Sequence, residues 1–302
     1  MRIPVSNSAL VPALAFAIAL GSAGSPRPAL AQDEPLPRAL RDRGAGIPTS
    51  MFGTFVNRHQ LLIFPFYEHV SDRNREYNPA ILGFGLNQDF RGKYRSSSEA
   101  IFITYGVNDR LAVEFEMNHL RARLDKSAGD PSATPARIEE SGLGDVGGQV
   151  RMRLTQESRG RPEVFGFVEI TAPSQRKKLL IGSPDWDLRP GLGVIRGFGW
   201  GTMTFRTTLE YNREISAIQQ AAHLDLGETS IEYLRRLSPA WRLNLGIEGG
   251  EGGAPDEWEL RSGLYWRITD AALLRLDNSV GLSSKAPDWT PQIGLMFSMP
   301  RR

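Results

Sequence analysis

The sequence predicts an all-β chain that closes on itself as a transmembrane, antiparallel, up-and-down β-barrel of about twelve strands. Three observations predict it. Apolar and polar residues alternate with period two along most of the chain, the alternating segments are joined by short and long connections in turn, and no apolar run reaches the length of a membrane helix.

Before the barrel comes a segment that reads as a secretory signal. Arg2 supplies a positive start, Ala9 to Leu20 form a short apolar stretch interrupted by Pro12, and Ala29-Leu30-Ala31 is a small-x-small cleavage site ahead of Gln32. Residues 1–31 are therefore expected to be removed. Lys and Arg total 36 against 34 for Asp and Glu. Arg2 and Arg27 account for that excess, so the exported chain is formally neutral and offers nothing electrostatic to nucleic acid. There are no cysteines, which excludes a disulfide scaffold, a thiol nucleophile, a thiolate metal site and lipid attachment at an N-terminal Cys. Residues 32–58, rich in Pro, Arg and Gly, precede the first strand and are expected to be a periplasmic tail or a plug.

The longest apolar run after the signal is Leu61 to Phe66. A mean hydropathy of −0.30 ordinarily marks a soluble protein, but a barrel escapes hydropathy because every second residue faces a polar lumen. Between Gly201 and Asn212, Met203, Phe205, Thr207, Leu209 and Tyr211 share one face, opposite Thr204, Arg206, Thr208, Glu210 and Asn212. Val113, Phe115 and Met117 likewise oppose Glu114, Glu116 and Asn118, and Val150, Met152 and Leu154 oppose Gln149, Arg151 and Arg153. The split recurs where Leu243 and Leu245 oppose Arg242 and Asn244, where Leu260 and Leu264 oppose Arg261 and Arg267, and where Leu274 and Leu276 oppose Arg275 and Asp277.

Alternation alone also suits a soluble sandwich with one wet face; the connections separate the two. Short turns fall at Asn108–Arg110, Glu157–Pro162, Phe198–Trp200, Ser238–Ala240 and Thr269–Asp270. Polar, Gly/Pro-rich stretches lie between them at Ser71–Glu99, Asp125–Leu143, Pro173–Leu188, Glu214–Ala222, Gly250–Asp256 and Ser284–Asp288. With a first strand from His59 and a last one from Trp289 to Met299, this rhythm yields an even strand number with both ends on the short-turn side, as outer-membrane barrels require. Ile81 to Phe90 alternates too and is read as a rim hairpin extension, because another strand would break the parity. All six tryptophans sit at strand ends. Trp200, Trp241 and Trp266 border short turns and Trp186, Trp258 and Trp289 border long loops, the placement of two interfacial girdles.

The residues from Ile47 to Phe55, then Leu62-Ile-Phe-Pro-Phe-Tyr-Glu68, Tyr105-Gly-Val-Asn-Asp-Arg-Leu111, Gly142-Leu-Gly-Asp-Val146 and Ala286-Pro-Asp-Trp289, resemble the outer-membrane transporters named for the meta-pathway of phenol degradation. The resemblance spans roughly residues 47 to 299 and implies a transporter for aromatic or other hydrophobic compounds. One departure stands out: such barrels commonly end on an aromatic residue, whereas here Phe297 is followed by Ser-Met-Pro-Arg-Arg.

Beside the resemblance, Asn108-Asp109 suits a tight hairpin, through left-handed tolerance and side-chain bonds to nearby backbone. Gly142 and Gly144 flank a strand start, and without a following helix they do not form a phosphate loop. The histidines His59, His69, His119 and His223 show no metal-ligand spacing, so neither metal nor cofactor is expected. His119 near the outer end of a strand is the place for a lipid-cleaving Ser-His pair, but its neighbouring strands supply no clear serine with an orienting partner. Asp185 and Asp187 read as solvated loop carboxylates or a calcium contact, and Arg176-Lys177-Lys178 as a solvated loop or a contact for lipopolysaccharide phosphates.

The inward set holds the candidate chemistry. Glu114, Glu116, Arg151, Arg153, Arg206, Glu210, Arg242, Arg261, Arg267, Arg275 and Asp277 are expected to line a narrow lumen, Glu114/Glu116 pairing with Arg151/Arg153 across one hairpin. Three functions stay open: a passive channel for small solutes, a structural or surface-binding barrel, and an outer-membrane lipid hydrolase. Expected partners are outer-membrane lipids, lipopolysaccharide, the barrel assembly machinery and a small-molecule solute, with the protein a monomer.

Overall fold

The computed structural model describes residues 56, 58–183, 186–213, 222–250 and 257–299, the side chains of 210–213 and 222–226 excepted. The signal at 1–31, most of the 32–58 segment, Asp185 and the connections expected at Glu214–Ala222 and Gly250–Asp256 lie wholly or largely outside the described residues.

The chain is all β. In order the strands are β1 (Leu61–Tyr77), β2 (Phe90–Gly106), β3 (Leu111–Asp125), β4 (Arg137–Leu143), β5 (Val146–Thr155), β6 (Glu163–Ala172), β7 (Asp187–Phe198), β8 (Gly201–Arg213), β9 (Ala222–Arg236), β10 (Trp241–Gly250), β11 (Glu259–Arg267), β12 (Ala272–Gly281) and β13 (Thr290–Met299). Successive strands pair antiparallel, and β13 pairs with β1 to close the sheet. These thirteen segments occupy twelve positions in the wall. β5 pairs with the lower part of β3, from Leu111 to Glu116, and β4 pairs with its upper part, from His119 to Asp125. They are one strand position broken at Gly144-Asp145.

That break is where the Gly142-Leu-Gly-Asp-Val146 motif sits, and it anchors an outer loop. The Asp145 carboxylate accepts the amides of Ser174 at 2.9 Å and Ser183 at 2.6 Å, and the Ser174 hydroxyl donates to the Gly144 carbonyl. Glu140 adds two more, from the amides of Leu179 and Leu180 at 3.0 and 2.7 Å. The segment after β6 is thus tied to the wall by carboxylates that accept otherwise orphaned backbone donors.

Three of the five short turns are closed by a side-chain oxygen. Asn108 Oδ1 accepts the amides of Arg110 and Leu111, Ser238 Oγ those of Ala240 and Trp241, and Thr269 Oγ1 that of Ala271. Asn108 does this without entering the left-handed region; among the described non-glycine residues only His59 has positive φ. Pro65 leaves a different mark on the wall. It lacks an amide, so the β1–β13 ladder skips from Ile63↔Phe297 to Phe66↔Gly294, while β1–β2 runs unbroken through Pro65↔Ile101.

The structure corrects two expected loops: the last seven residues of the Asp125–Leu143 stretch form β4. Ser71–Glu99 is no open connection: β1 and β2 are 17 residues each and pair as far as Tyr77↔Phe90. About 9–11 residues cross a membrane, so both strands run on beyond it. Beside them the β3–β4 pair projects in the same way and ends at Asp125↔Arg137. Tyr77, Leu124 and Ile138 form a small core there, with Leu82, Phe84, Phe90 and Leu180 packed against it. Leu82 and Phe84 explain the alternation around Ile81–Phe90: that segment is the tip turn, and its apolar residues serve this outer core.

Two ties hold the outer lobe. The Tyr77 hydroxyl donates to Asp130 at 2.8 Å and accepts the Ser127 amide at 3.0 Å. Burial and the adjacent Asp130 carboxylate push that hydroxyl up to about 12. Asp125 receives Arg137 at 2.8 Å and Arg123 at 2.9 Å, and these hydrogen bonds hold its carboxyl below the ordinary 3.8.

Two outcomes follow from this architecture. Phe205 points outward near the middle of β8 and is 42% exposed. Phe205→Arg should cost roughly 2–4 kcal/mol of folding stability in lipid, read by urea titration in vesicles; an unchanged midpoint would contradict the outward placement. The second concerns pH. A depressed carboxyl stabilises the fold above its unfolded value and loses that contribution as pH falls through its folded one. Amide exchange over residues 120–143, normalised to intrinsic rates, should therefore speed up below about pH 3.8, and Asp125→Asn should remove the acid-induced difference.

Candidate functional site

The two faces of the wall differ as period two requires. In β8, Thr202, Thr204, Arg206 and Thr208 are buried toward the lumen while Phe205 faces out. In β5, Arg151 is buried and Val150, Met152 and Leu154 are exposed. The outward tryptophans gather at the strand ends. Trp241 and Trp266 stack at 5.9 Å between the short-turn ends of β10 and β11, and Trp200 stacks on Phe198 at 4.7 Å beside the β7–β8 turn. On the opposite rim Trp289 donates from Nε1 to Asn278 at 2.5 Å, and Trp186 is 62% exposed. Trp258 is half-buried there, where its carbonyl accepts the Leu282 amide.

The lumen has two zones. Its lower zone, toward the short turns, is packed. Phe64, Leu234, Tyr265, Leu273 and Met296 form one buried cluster, and Phe165, Phe167 and Ile195 another. Val56, at the end of the segment before β1, is buried with Leu62 and Ala112 in the same zone. These apolar side chains occupy lumen-facing positions that the sequence reading did not identify.

Arginines lie flat on this aromatic floor. Arg151 stands 4.4 Å over the Phe165 ring and Arg206 4.4 Å over Phe167, while Arg275 lies 4.4 Å from the Tyr265 ring and 5.2 Å from Phe64. A guanidinium on an aromatic face is stabilised by about 0.5–2 kcal/mol. Room for the rings comes from glycines on the neighbouring strand. A Cβ at Gly193 or Gly191 of β7 would collide with the rings of Phe165 and Phe167 respectively. Carboxylates complete the arrangement: Arg206 pairs with Glu169, Arg153 with Glu163 at 3.3 Å, and Arg275 with Asp277 at 3.1 Å. Tyr265 donates to Asp277 at 2.8 Å and accepts from Arg275 at 2.8 Å.

Above the floor is a cavity of about 370 Å³ on the barrel axis. Among its lining groups are the expected residues Glu114, Glu116, Arg206, Arg261, Arg275 and Asp277. Glu68, Glu169, Glu228, Glu232 and Glu248 line it too, although none was among the candidates. Nearer the outer rim a second cavity, of about 870 Å³, lies among Tyr77, Leu82, Leu180 and Lys285.

The remaining candidates lie elsewhere. Arg151 and Arg242, 1% and 2% exposed, are sealed within the lower lumen. Arg153 reaches the carbonyl of Asp109 in a short turn at 3.0 Å, and Arg267 pairs with Asp270 at 2.5 Å in another. Glu210 lies in β8, its side chain outside the described residues. The expected Glu114/Glu116 to Arg151/Arg153 pairing is displaced by register. Glu114 stands opposite Gln149 and Glu116 opposite Gly147, while Arg151 stands opposite Ala112.

Catalytic geometry is sparse. His119 lines an outward apolar groove with Tyr67, Met117 and Leu143. The Ser–His contact among the described residues is His69 Nδ1 to Ser97 Oγ at 3.3 Å, with Tyr67 donating to the same serine at 3.2 Å. No hydrogen bond to the other ring nitrogen of His69 is present among the described residues, so the orienting member of an acyl-transfer triad is lacking. Asp187, weighed as a calcium contact, is bound by Arg189 at 2.7 Å.

Gly193→Val should displace the Phe165 ring and with it the Arg151 stack, destabilising the barrel by roughly 1–3 kcal/mol. Gly199, with nothing within 4 Å of its Cβ position, is the control: Gly199→Ala should be close to silent in the same urea titration. Equal midpoints for the two variants would show that the ring does not need the glycine.

No family model matches the sequence, and no curated protein matches it. Solved structures do. The chain is similar over 83% of its length to an outer-membrane channel from Pseudomonas putida, covering 98% of that chain at 17% identity with a TM-score of 0.57. It is also similar to the translocator domain of the autotransporter NalP from Neisseria meningitidis, over 80% of this chain and 88% of that one, at 11% identity and a TM-score of 0.48. A third likeness is to the toluene transporter TbuX of Ralstonia pickettii, over 82% and 90% of the two chains, at 8% identity and a TM-score of 0.41. The Pseudomonas putida channel and this chain share the fold of an outer-membrane β-barrel.

Proposed function

We propose that the protein is a passive outer-membrane channel that admits small solutes through its lumen and carries out no chemistry on them. The observation that carries this reading is the charged axial cavity above the arginine–aromatic floor. A barrel whose lumen served only as filling would be packed throughout, as eight-stranded barrels are. Here the packing is confined to the lower zone, and the upper zone remains open and ionic.

Several features fit an outer-membrane setting. The outward apolar face is bounded by aromatic girdles, the strand positions are even in number, and residues 1–31 have the composition of an export signal. Residues 32–58 belong to the periplasmic side in this reading, where Val56 already enters the lower lumen. An aromatic or hydrophobic solute is the cargo that the resemblance to the meta-pathway transporters implies.

The packed floor favours a second reading, a closed barrel that only binds or anchors at the surface. Conductance separates the two. The purified protein in a planar bilayer should show small single-channel steps. Phe64→Ala combined with Leu273→Ala removes two fully buried side chains from the floor and should raise the step size several-fold. A silent bilayer for both proteins, each folded by heat-modifiable gel migration, would leave the closed barrel as the correct reading.

A further inference from the structure

Beyond the membrane, the extension of β1 to β4 has two faces. Toward the barrel axis lies its apolar core of Tyr77, Leu124 and Ile138. Side chains of the opposite parity turn away from the axis, and among them Lys93, Arg95 and Arg121 are exposed cations of β2 and β3. None of these has an ion pair among the described residues. Asp125 and Glu139, on the same face, are engaged by Arg123 and Arg137. Only Glu99 is left to set against the free cations, so the spare charge of this face is positive.

The strands fix the height of that charge. Arg95 stands ten residues beyond Tyr105 at the short-turn end of β2, and Arg121 ten beyond Leu111 at that of β3. Ten residues rise about 33 Å along a strand. At the roughly 40° tilt of a membrane barrel this is about 25 Å of height, the thickness of the apolar band. Register agrees: Ser71, the partner of Arg95 on β1, bridges to Trp289 of the outer girdle. Both arginines thus leave the wall at the level where lipid headgroups begin. Below them, where Pro65 interrupts the β1–β13 ladder, the outward surface holds a groove of about 600 Å³ lined by Tyr67, Ile101, Met117, Leu143 and Ile293.

We propose that this face binds one outer-leaflet lipid, a phosphorylated and acylated amino sugar of the lipid A type, with a phosphate on Arg95 and Arg121 and an acyl chain in the groove. The two arginines are diagonal neighbours on adjacent strands, roughly 7–8 Å apart, a spacing from which two planar guanidiniums reach one phosphate. Glu99 selects the lipid class. It lies at the groove's upper edge, one row below Arg121, between phosphate and chain. A glycerophospholipid offers ester acceptors at that depth, whereas an acylated amino sugar offers amide N–H and hydroxyl donors to a carboxylate. The loop that carries Arg176, Lys177 and Lys178 is held on the other face, where Glu140 accepts its amides and Leu180 packs on the inner core. The site lies outside the lumen and stands whether or not the barrel conducts.

Native mass spectrometry of the purified barrel in detergent, with lipid A, dephosphorylated lipid A and phosphatidylglycerol supplied in equal amounts, tests the site. A single lipid A should be retained, about tenfold more than either comparison lipid, the worth of one charge-assisted hydrogen bond. Arg95→Gln combined with Arg121→Gln should lower lipid A to the level of its dephosphorylated form, while Lys177→Gln combined with Lys178→Gln should change nothing. Equal retention of lipid A and its dephosphorylated form by the unmodified protein would overturn the site, a result that needs no variant to fold. Retention of phosphatidylglycerol to the same extent as lipid A would overturn the amino-sugar assignment. Loss of lipid A from the loop variant, with the strand variant unaffected, would overturn the placement on Arg95 and Arg121.

Discussion

The structure depends on one constraint: a backbone amide or carbonyl facing hydrocarbon has no water to bond and must pair within the chain. Twelve strand positions meet it by closing, with β13 returning to β1. Closure then decides the side chains, because each residue that does not face lipid must face the lumen. Where Pro65 withholds its amide, pairing on the β2 side continues and only the β13 ladder is interrupted. The irregular backbone at Gly144-Asp145 is admitted because it lies at the outer rim, where the Ser174 hydroxyl donates to the Gly144 carbonyl and the Asn118 carbonyl accepts the Gly144 amide.

Closing at twelve positions encloses more space than single side chains fill, and the chain divides that space. Below, glycines on β7 let phenylalanines from β6 lie against the wall, and arginines cover those rings. A buried guanidinium is costly unless its donors and its charge are answered. Arg275 shows how most of this is met, with Asp277, the Tyr265 hydroxyl and two ring faces around one group, while its Nη1 is buried without a hydrogen-bond partner among the described residues. Above, carboxylates outnumber guanidiniums and the space stays open. The lumen thus passes from a neutralised, close-packed base to a vestibule with negative charge to spare.

Much of the wall was legible in the sequence because lipid outside and water inside impose period two. The short turns at Asn108, Ser238 and Thr269 were legible from residues whose side chains cap backbone amides. What escaped notice did so for physical reasons. Ser71–Glu76 forms strand beyond the membrane, where no lipid imposes alternation. Around β6, Phe165 and Phe167 point inward and Val164 and Val168 outward, so both parities are apolar and the direction is ambiguous. The ion partners were hidden for a related reason. Charge type was readable, but pairing depends on register, and a shift of two residues exchanged Arg151 for Gln149 opposite Glu114.

A membrane barrel is defined by which way alternate side chains point, and along β8 that direction can be measured. Nitroxide side chains placed singly from Thr202 to Leu209 should show oxygen accessibility that peaks at Met203, Phe205, Thr207 and Leu209. Oxygen accessibility should fall at the other four positions, which are buried in the packed lumen, and a water-soluble nickel chelate should be excluded from the outward four. Oscillation of both quenchers in phase, or nickel access at Phe205, would mean that this face meets water and that the chain is not the membrane barrel described.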